Sequence, residues 1–214
     1  MNSLIEMFLV GILITDFILL ATGRMRASIR LVSIQGFLLG VVPVIIGITQ
    51  GISQEIIVIS LAGIVLRGII FPRLLHRSVI DTGVDREEHP IVGYIASLLI
   101  MVVFLLTSLW VGSKLAFLAP KSALMIPVAL ATIFAGTFMI VGRRIAIMQI
   151  IGYILIENGI YCFGLMLVEK VPFLVELGVL TDAVVAVLVM TNASKKLHKV
   201  FDHMDTRNLD SLKG

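Results

Sequence analysis

The sequence predicts an all-α, polytopic transmembrane helix bundle, and three observations carry that prediction. The chain is 58% hydrophobic and 14% charged, with a mean hydropathy of +1.08, too apolar for a water-exposed surface. Its apolar residues fall in runs near the roughly 20 residues at which an α-helix, rising about 1.5 Å per residue, crosses a hydrocarbon core of about 30 Å. Its basic residues collect in short clusters between those runs, a distribution that suits membrane orientation and not nucleic-acid binding.

Seven segments meet or approach the spanning length: 3–22, 31–49, 54–71, 90–112, 122–141, 145–168 and 171–193. The first has Glu6 where a secretory leader carries basic residues, and no small-residue cleavage signal precedes Gly23, so it is expected to be a retained helix. The third is short, carries Arg67 and is expected to end at Phe71, because proline, here Pro72, disfavours helical geometry in the residue before it. If that segment is re-entrant, six helices span instead of seven.

Orientation follows from the basic loops. With the N-terminus outside, Arg24, Arg26, Arg30, Arg73, Arg77, Arg86, Arg143, Arg144, Lys195, Lys196, Lys199, Arg207 and Lys213 fall inside, and Lys114, Lys121 and Lys170 outside. Thirteen against three satisfies the positive-inside rule, giving N-out, C-in. The organisation expected is a four-helix membrane region at 1–120, a three-helix region at 121–194 and a cytoplasmic tail at 195–214. Loop 73–89 mixes Asp81, Asp85, Glu87 and Glu88 with arginines. Such a surface usually stays solvated, and in a complex it can dock a peripheral subunit by charge complementarity.

Redox and metal chemistry find little support in the side chains. Cys162 is the single cysteine, so the chain forms no internal disulfide and no thiolate cluster. His76, His89, His198 and His203 fall in the expected loops or tail, away from any intramembrane haem, and the ten methionines are scattered as core-filling residues. No GxGxxG, P-loop lysine or CxxC occurs.

The informative residues are ionisable groups inside apolar helices. A charge at mid-bilayer costs about 2.5 to 3.5 kcal/mol on insertion scales, so each needs a partner, water or a proton. Twelve residues separate Glu157 from Arg144 before it and eleven from Glu169 after it, so it is too deep to reach either surface. Asp182 lies at similar depth in the next segment, and Glu176 nearly two turns from it toward the outer side. The short connection at Glu169 and Lys170 makes the two segments antiparallel neighbours, so Glu157, Asp182 and Glu176 form a candidate proton relay. The alternative is a neutral carboxyl hydrogen-bonded across the bundle to Asn158, Thr181 or Gln149.

Asp16 and Arg67, at matched depth, form a possible buried ion pair, whose permanent cation would hold the acid ionised and oppose proton exchange. Arg67 could also snorkel to the surface. Glycines in the second and sixth segments read as packing points. An internal echo sets Gly36-Phe37-Leu38-Leu39 beside Gly152-Tyr153-Ile154-Leu155, with Val41 in the register of Glu157.

The basic turn Gly142-Arg143-Arg144, mid-helix Glu157 beside Asn158, and Asp182 in the following segment resemble the K subunit of complex I and the C subunit of Mrp-type antiporters. In that pattern two intramembrane acids carry protons laterally. Here the asparagine follows the glutamate directly and the second acid is Asp. Over nearly the whole chain, length, helix count and the stretch GRRIAIMQIIGYILIENGIY resemble the hydrogenase-4 component E family of formate hydrogenlyase-type complexes.

That resemblance implies a non-catalytic subunit in the prokaryotic cytoplasmic membrane, linking antiporter-like membrane subunits to peripheral hydrogenase subunits. It places no cofactor in this chain, and a nickel-iron site and iron-sulfur clusters in its partners. A subunit of a cation/proton antiporter and a purely structural membrane subunit are the alternatives.

Overall fold

The computed structural model describes residues 2–50, 54–82, 86–87, 90–115 and 122–165. They form α1 (Asn2–Ala21), α2 (Met25–Gln50), α3 (Gln54–Gly63), a π-helix (Ile64–Ile70), α4 (Phe71–Thr82), α5 (Tyr94–Lys114), α6 (Met125–Gly142) and α7 (Ala146–Gly164). The bundle is all-α, with an isolated bridge between Arg24 and Arg86 the one β contact among the described residues. Helices α1, α2, α5, α6 and α7 are each long and apolar enough to cross a membrane. The α3, π and α4 segments follow one another without a break and run back along α2. Segment 171–193, with Glu176 and Asp182, lies outside the described residues, as does the tail.

Two boundaries differ from the sequence reading. Helix α2 starts at Met25, one and a half turns before the expected 31, with Arg26 and Arg30 exposed on its first turns. Arginine is a good helix former, so the apolar run marks where lipid begins and the helix simply continues beyond it. The third segment does not end at Phe71, because the helix passes through Pro72 to Thr82 and turns most of the expected loop 73–89 into α4.

The chain accommodates Pro72 in two ways. The π-helix directly before it widens the turn, with the Phe71 N–H bonding back to the Leu66 carbonyl. The Gly68 carbonyl, one α-turn before the residue that lacks an N–H, accepts a hydrogen bond from the Ser33 hydroxyl of α2 at 2.5 Å.

In lipid, helices associate through close packing more than through exclusion of water, and small residues let backbones approach. Helices α6 and α7 make the most extensive contact in the bundle. A Cβ on Gly136 would meet the Gly152 carbonyl at 2.5 Å, and one on Gly152 would meet the Gly136 carbonyl at 2.7 Å. Gly36 of α2 is likewise filled by Arg67, whose Cβ would lie 2.7 Å from an added Cβ. Both glycines of the sequence echo thus serve as helix contact points, although against different partners.

The buried apolar residues divide into two clusters. One holds Leu19, Leu20, Ile29, Val32, Leu75, Ala135, Ile151 and Leu155, and the other Ile5, Leu9, Ile12, Leu39, Val42, Val128, Ala129 and Tyr161. Residues from before and after position 121 share both. Between Ile12 and Leu19, Val32 and Leu39, Ala129 and Ala135, and Leu155 and Tyr161 the buried side chains turn polar: Asp16, Gln35, Thr132, Glu157 and Asn158. The outward faces are apolar instead, as on α5 with Ile95, Leu99, Val103, Leu106 and Trp110.

Candidate functional site: a polar belt across the bundle

The belt is joined by hydrogen bonds across four helices. Gln35 on α2 donates from Nε2 to Asp16 Oδ1 on α1 at 2.7 Å, and Thr132 on α6 donates to Asp16 Oδ2 at 2.7 Å. Asn158 on α7 donates from Nδ2 to Gln35 Oε1 at 3.0 Å. Gln35 therefore accepts from α7 and donates to α1, which its amide, with an oxygen and a nitrogen, is suited to do. The Asn158 Oδ1 is buried with no hydrogen-bond partner among the described residues, an acceptor open to one more donor.

Next to this chain, on the other side of α2, lies the π-helix. Arg67 projects from it into the protein, almost fully buried, with its guanidinium carbon 3.9 Å from the centre of the Tyr161 ring. That is cation–π distance, and in a dry interior such a contact is worth about 2 kcal/mol. Glu157, also buried, precedes Tyr161 by four residues and so sits one turn away on the same face of α7.

Of the acids and the base singled out in the sequence, three are described and all three are buried: Asp16, Arg67 and Glu157. Both oxygens of Asp16 are engaged by neutral donors, Gln35 and Thr132. Helix α2 stands between α1 and the π-helix, holding Asp16 through Gln35 and seating Arg67 on the adjacent Gly36. Sequence reasoning missed Gln35 and Thr132. Gln35 carried the same signal as Asp16, an amide in the middle of an apolar helix, whereas an isolated threonine such as Thr132 carries none.

A second buried cluster, not anticipated, closes one end of the bundle. Glu87, read in the sequence as part of a mixed-charge loop that usually stays solvated, and Arg143, read as part of a basic cytoplasmic turn, are 1% and 0% exposed. Glu87 Oε1 accepts hydrogen bonds from the backbone N–H groups of Arg144 at 2.6 Å and Ile145 at 3.2 Å, at the positive end of α7. Its other oxygen lies 3.8 Å from Arg143 Nε.

The Arg143 guanidinium also donates to the Leu20 carbonyl at 2.6 Å and lies 4.7 Å from the Tyr94 ring centre, while the Tyr94 hydroxyl donates to the Glu87 carbonyl. Burial holds the Arg143 pKa below its usual value, an effect that the Glu87 carboxylate opposes without reversing. Glu87 N–H bonds to the Gly23 carbonyl, and Ile91 N–H to that of Gly142. The turns after α1, before α5 and after α6 thus meet at a single end, which also carries Arg24, Arg26, Arg86 and Arg144, while Lys114 lies at the far end of α5. That gathering agrees with the loop pairing expected from the basic residues.

With an outer surface as apolar as its core and its buried polar groups confined to a belt and to one end, the chain is a multi-pass helical membrane protein. It belongs to the family of the uncharacterized protein Rv0085 of Mycobacterium tuberculosis, to which it is 30% identical over 214 residues, 99% of this chain and 97% of that protein. A shorter stretch of 87 residues is 40% identical to Hydrogenase-4 component E of Escherichia coli K12 and of Shigella flexneri, covering 41% of this chain and 40% of those proteins. No family profile matches the chain, and no solved structure does.

Proposed function

We propose that the chain is a non-catalytic membrane subunit of a complex I-like hydrogenase of the formate hydrogenlyase type, set in the prokaryotic cytoplasmic membrane with its arginine-rich end inside. It links antiporter-like membrane subunits to peripheral hydrogenase subunits, which hold the nickel-iron site and iron-sulfur clusters. Its own part is proton movement, with Glu157 as the central group and Asp182 and Glu176 continuing the relay.

The observation that carries this reading is the burial of Glu157 at mid-helix, within a belt of polar groups that interrupts an otherwise apolar interior. A carboxyl there exchanges its proton only along such a belt. The stretch of identity with Hydrogenase-4 component E supports the assignment to a hydrogenase complex. Asp16, with both oxygens engaged by Gln35 and Thr132, favours a fixed structural role for that acid.

Purification of the tagged chain from native membranes in mild detergent is expected to bring nickel-iron and iron-sulfur subunits with it. Recovery with antiporter subunits alone would favour a cation/proton antiporter instead. In the intact complex Glu157→Gln is expected to lower proton translocation while assembly stays near normal, and unchanged translocation with normal assembly would remove Glu157 from the relay.

A further inference from the structure

A groove of about 640 Å³ runs between α2 and α4 at the arginine-rich end, lined by Arg26, Ile29, Arg30 and Ser33 on one side and by Arg73, His76, Arg77 and Ile80 on the other, with Gly68, Ile69 and Pro72 completing it. Its two walls follow from the sequence. In α4 the residues Phe71, Leu75 and Val79 are buried against the bundle, which turns Arg73, His76 and Arg77 outward one turn apart. In α2 the first turns carry Arg26 and Arg30, both exposed.

The Ser33–Gly68 hydrogen bond sets the register of these two antiparallel helices. Stepping from it toward the end of the bundle, Arg30 comes opposite Pro72 and Arg73, and Arg26 opposite His76 and Arg77. The groove is therefore graded, with Ser33, Gly68 and Ile69 toward the middle of the bundle and four guanidinium groups nearer its end. A second cavity, lined by Arg24, Arg26, Arg30 and Arg86, extends the basic surface beside it.

We propose that this groove binds an anionic phospholipid, its phosphate held between Arg26 and Arg30 of α2 and Arg73 and Arg77 of α4, with an acyl chain lying along Gly68 and Ile69. Charge and depth both select this occupant. Guanidinium groups match phosphate oxygens in paired hydrogen bonds. Basic pockets between membrane helices at the level of the headgroups attract anionic lipids, each arginine contributing about fivefold in affinity. The apolar inner end suits an acyl chain and would be left unfilled by a free phosphate.

The test is native mass spectrometry of the full chain in neutral detergent, titrated with dioleoylphosphatidylglycerol, with dioleoylphosphatidylcholine and with glycerol 3-phosphate. Adducts are expected with phosphatidylglycerol and not with the other two. The double variant Arg30→Gln/Arg73→Gln is expected to weaken them about tenfold or more. Arg144→Gln/Lys114→Gln, which removes as many charges away from the groove, is expected to change them less than twofold.

Equal adducts with phosphatidylcholine would overturn the proposal, since the groove would then bind acyl chains without regard to charge. Equal adducts with glycerol 3-phosphate would reduce it to a phosphate site. Equal loss in the two double variants would leave only net charge as the cause. Because the lipid comparison is made on the unaltered chain, a variant that fails to fold does not shield the proposal.

Discussion

The polar belt and the cluster at the arginine-rich end both take charged side chains out of solvent, but they do so with different materials. In the belt the partners are side chains on helices, Gln35, Thr132 and Asn158, each reaching across to a neighbouring helix. At the end, Glu87 is satisfied chiefly by backbone N–H groups at the start of α7, and Arg143 by the Leu20 carbonyl and the Tyr94 ring. The first arrangement ties rigid helices at mid-depth and leaves an acceptor, Asn158 Oδ1, open. The second ties three turns together and leaves them little freedom. A proton relay of the kind proposed needs the former; a lock needs the latter.

The contrast is most sharply tested at Glu87. Glu87→Ala leaves a buried arginine without its counter-charge and uncaps α7, so a loss of about 3–5 kcal/mol is expected, read as thermal unfolding of the chain in mild detergent. A cost as small as that of Arg144→Gln, a change at an exposed side chain, would mean that the cluster is not a lock.

In the belt, Gln35→Leu strips Asp16 Oδ1 and Asn158 Nδ2 of their partner together. About 1–3 kcal/mol is expected for each buried group left unpaired. The loss should be smaller for Thr132→Val, which removes a single donor, and the same unfolding measurement orders the two.

The smallest expected effect concerns Pro72. In Pro72→Ala the new N–H can return to the Gly68 carbonyl, so Ser33→Ala should cost less in that background than in the native chain. The difference in a double-mutant cycle is expected to be about 0.5–1.5 kcal/mol. Equal costs in both backgrounds would show that Ser33 does not answer for the proline.

The helices were legible wherever lipid, and not water, bounds them: α1, α5, α6 and α7 begin and end close to the limits of their apolar runs. At α2 the run and the helix part company, because hydropathy reports the edge of the membrane whereas helical geometry continues through Arg26 and Arg30. Pro72 was misread for a different reason. A proline is tolerated inside a helix where the turn before it widens and another donor serves the carbonyl it abandons, and the hydroxyl that does so here belongs to Ser33, 35 residues before that carbonyl's residue.

Of the belt, Asp16, Glu157 and Asn158 were visible because a polar group in an apolar run is conspicuous by itself. Glu87 and Arg143 were not visible. Their burial depends on three turns converging, and a charged residue in a turn looks the same in sequence whether the turn faces solvent or another turn.

The run through α3, the π-helix and α4 stands apart from the five helices that can cross a bilayer by themselves. It is interrupted by Arg67 and is not among the helices that are long and apolar enough to cross by themselves. A segment of that kind partitions poorly into lipid when it leaves the insertion machinery alone. What makes it acceptable is already in place ahead of it, since α2 emerges first and offers the Gly36 notch and the Ser33 hydroxyl. The order of synthesis thus matters: α2 is placed to act as an in-built escort for the helix that follows it, and filling the notch with a larger side chain at Gly36 is expected to be felt first in biogenesis, as a segment left outside the membrane.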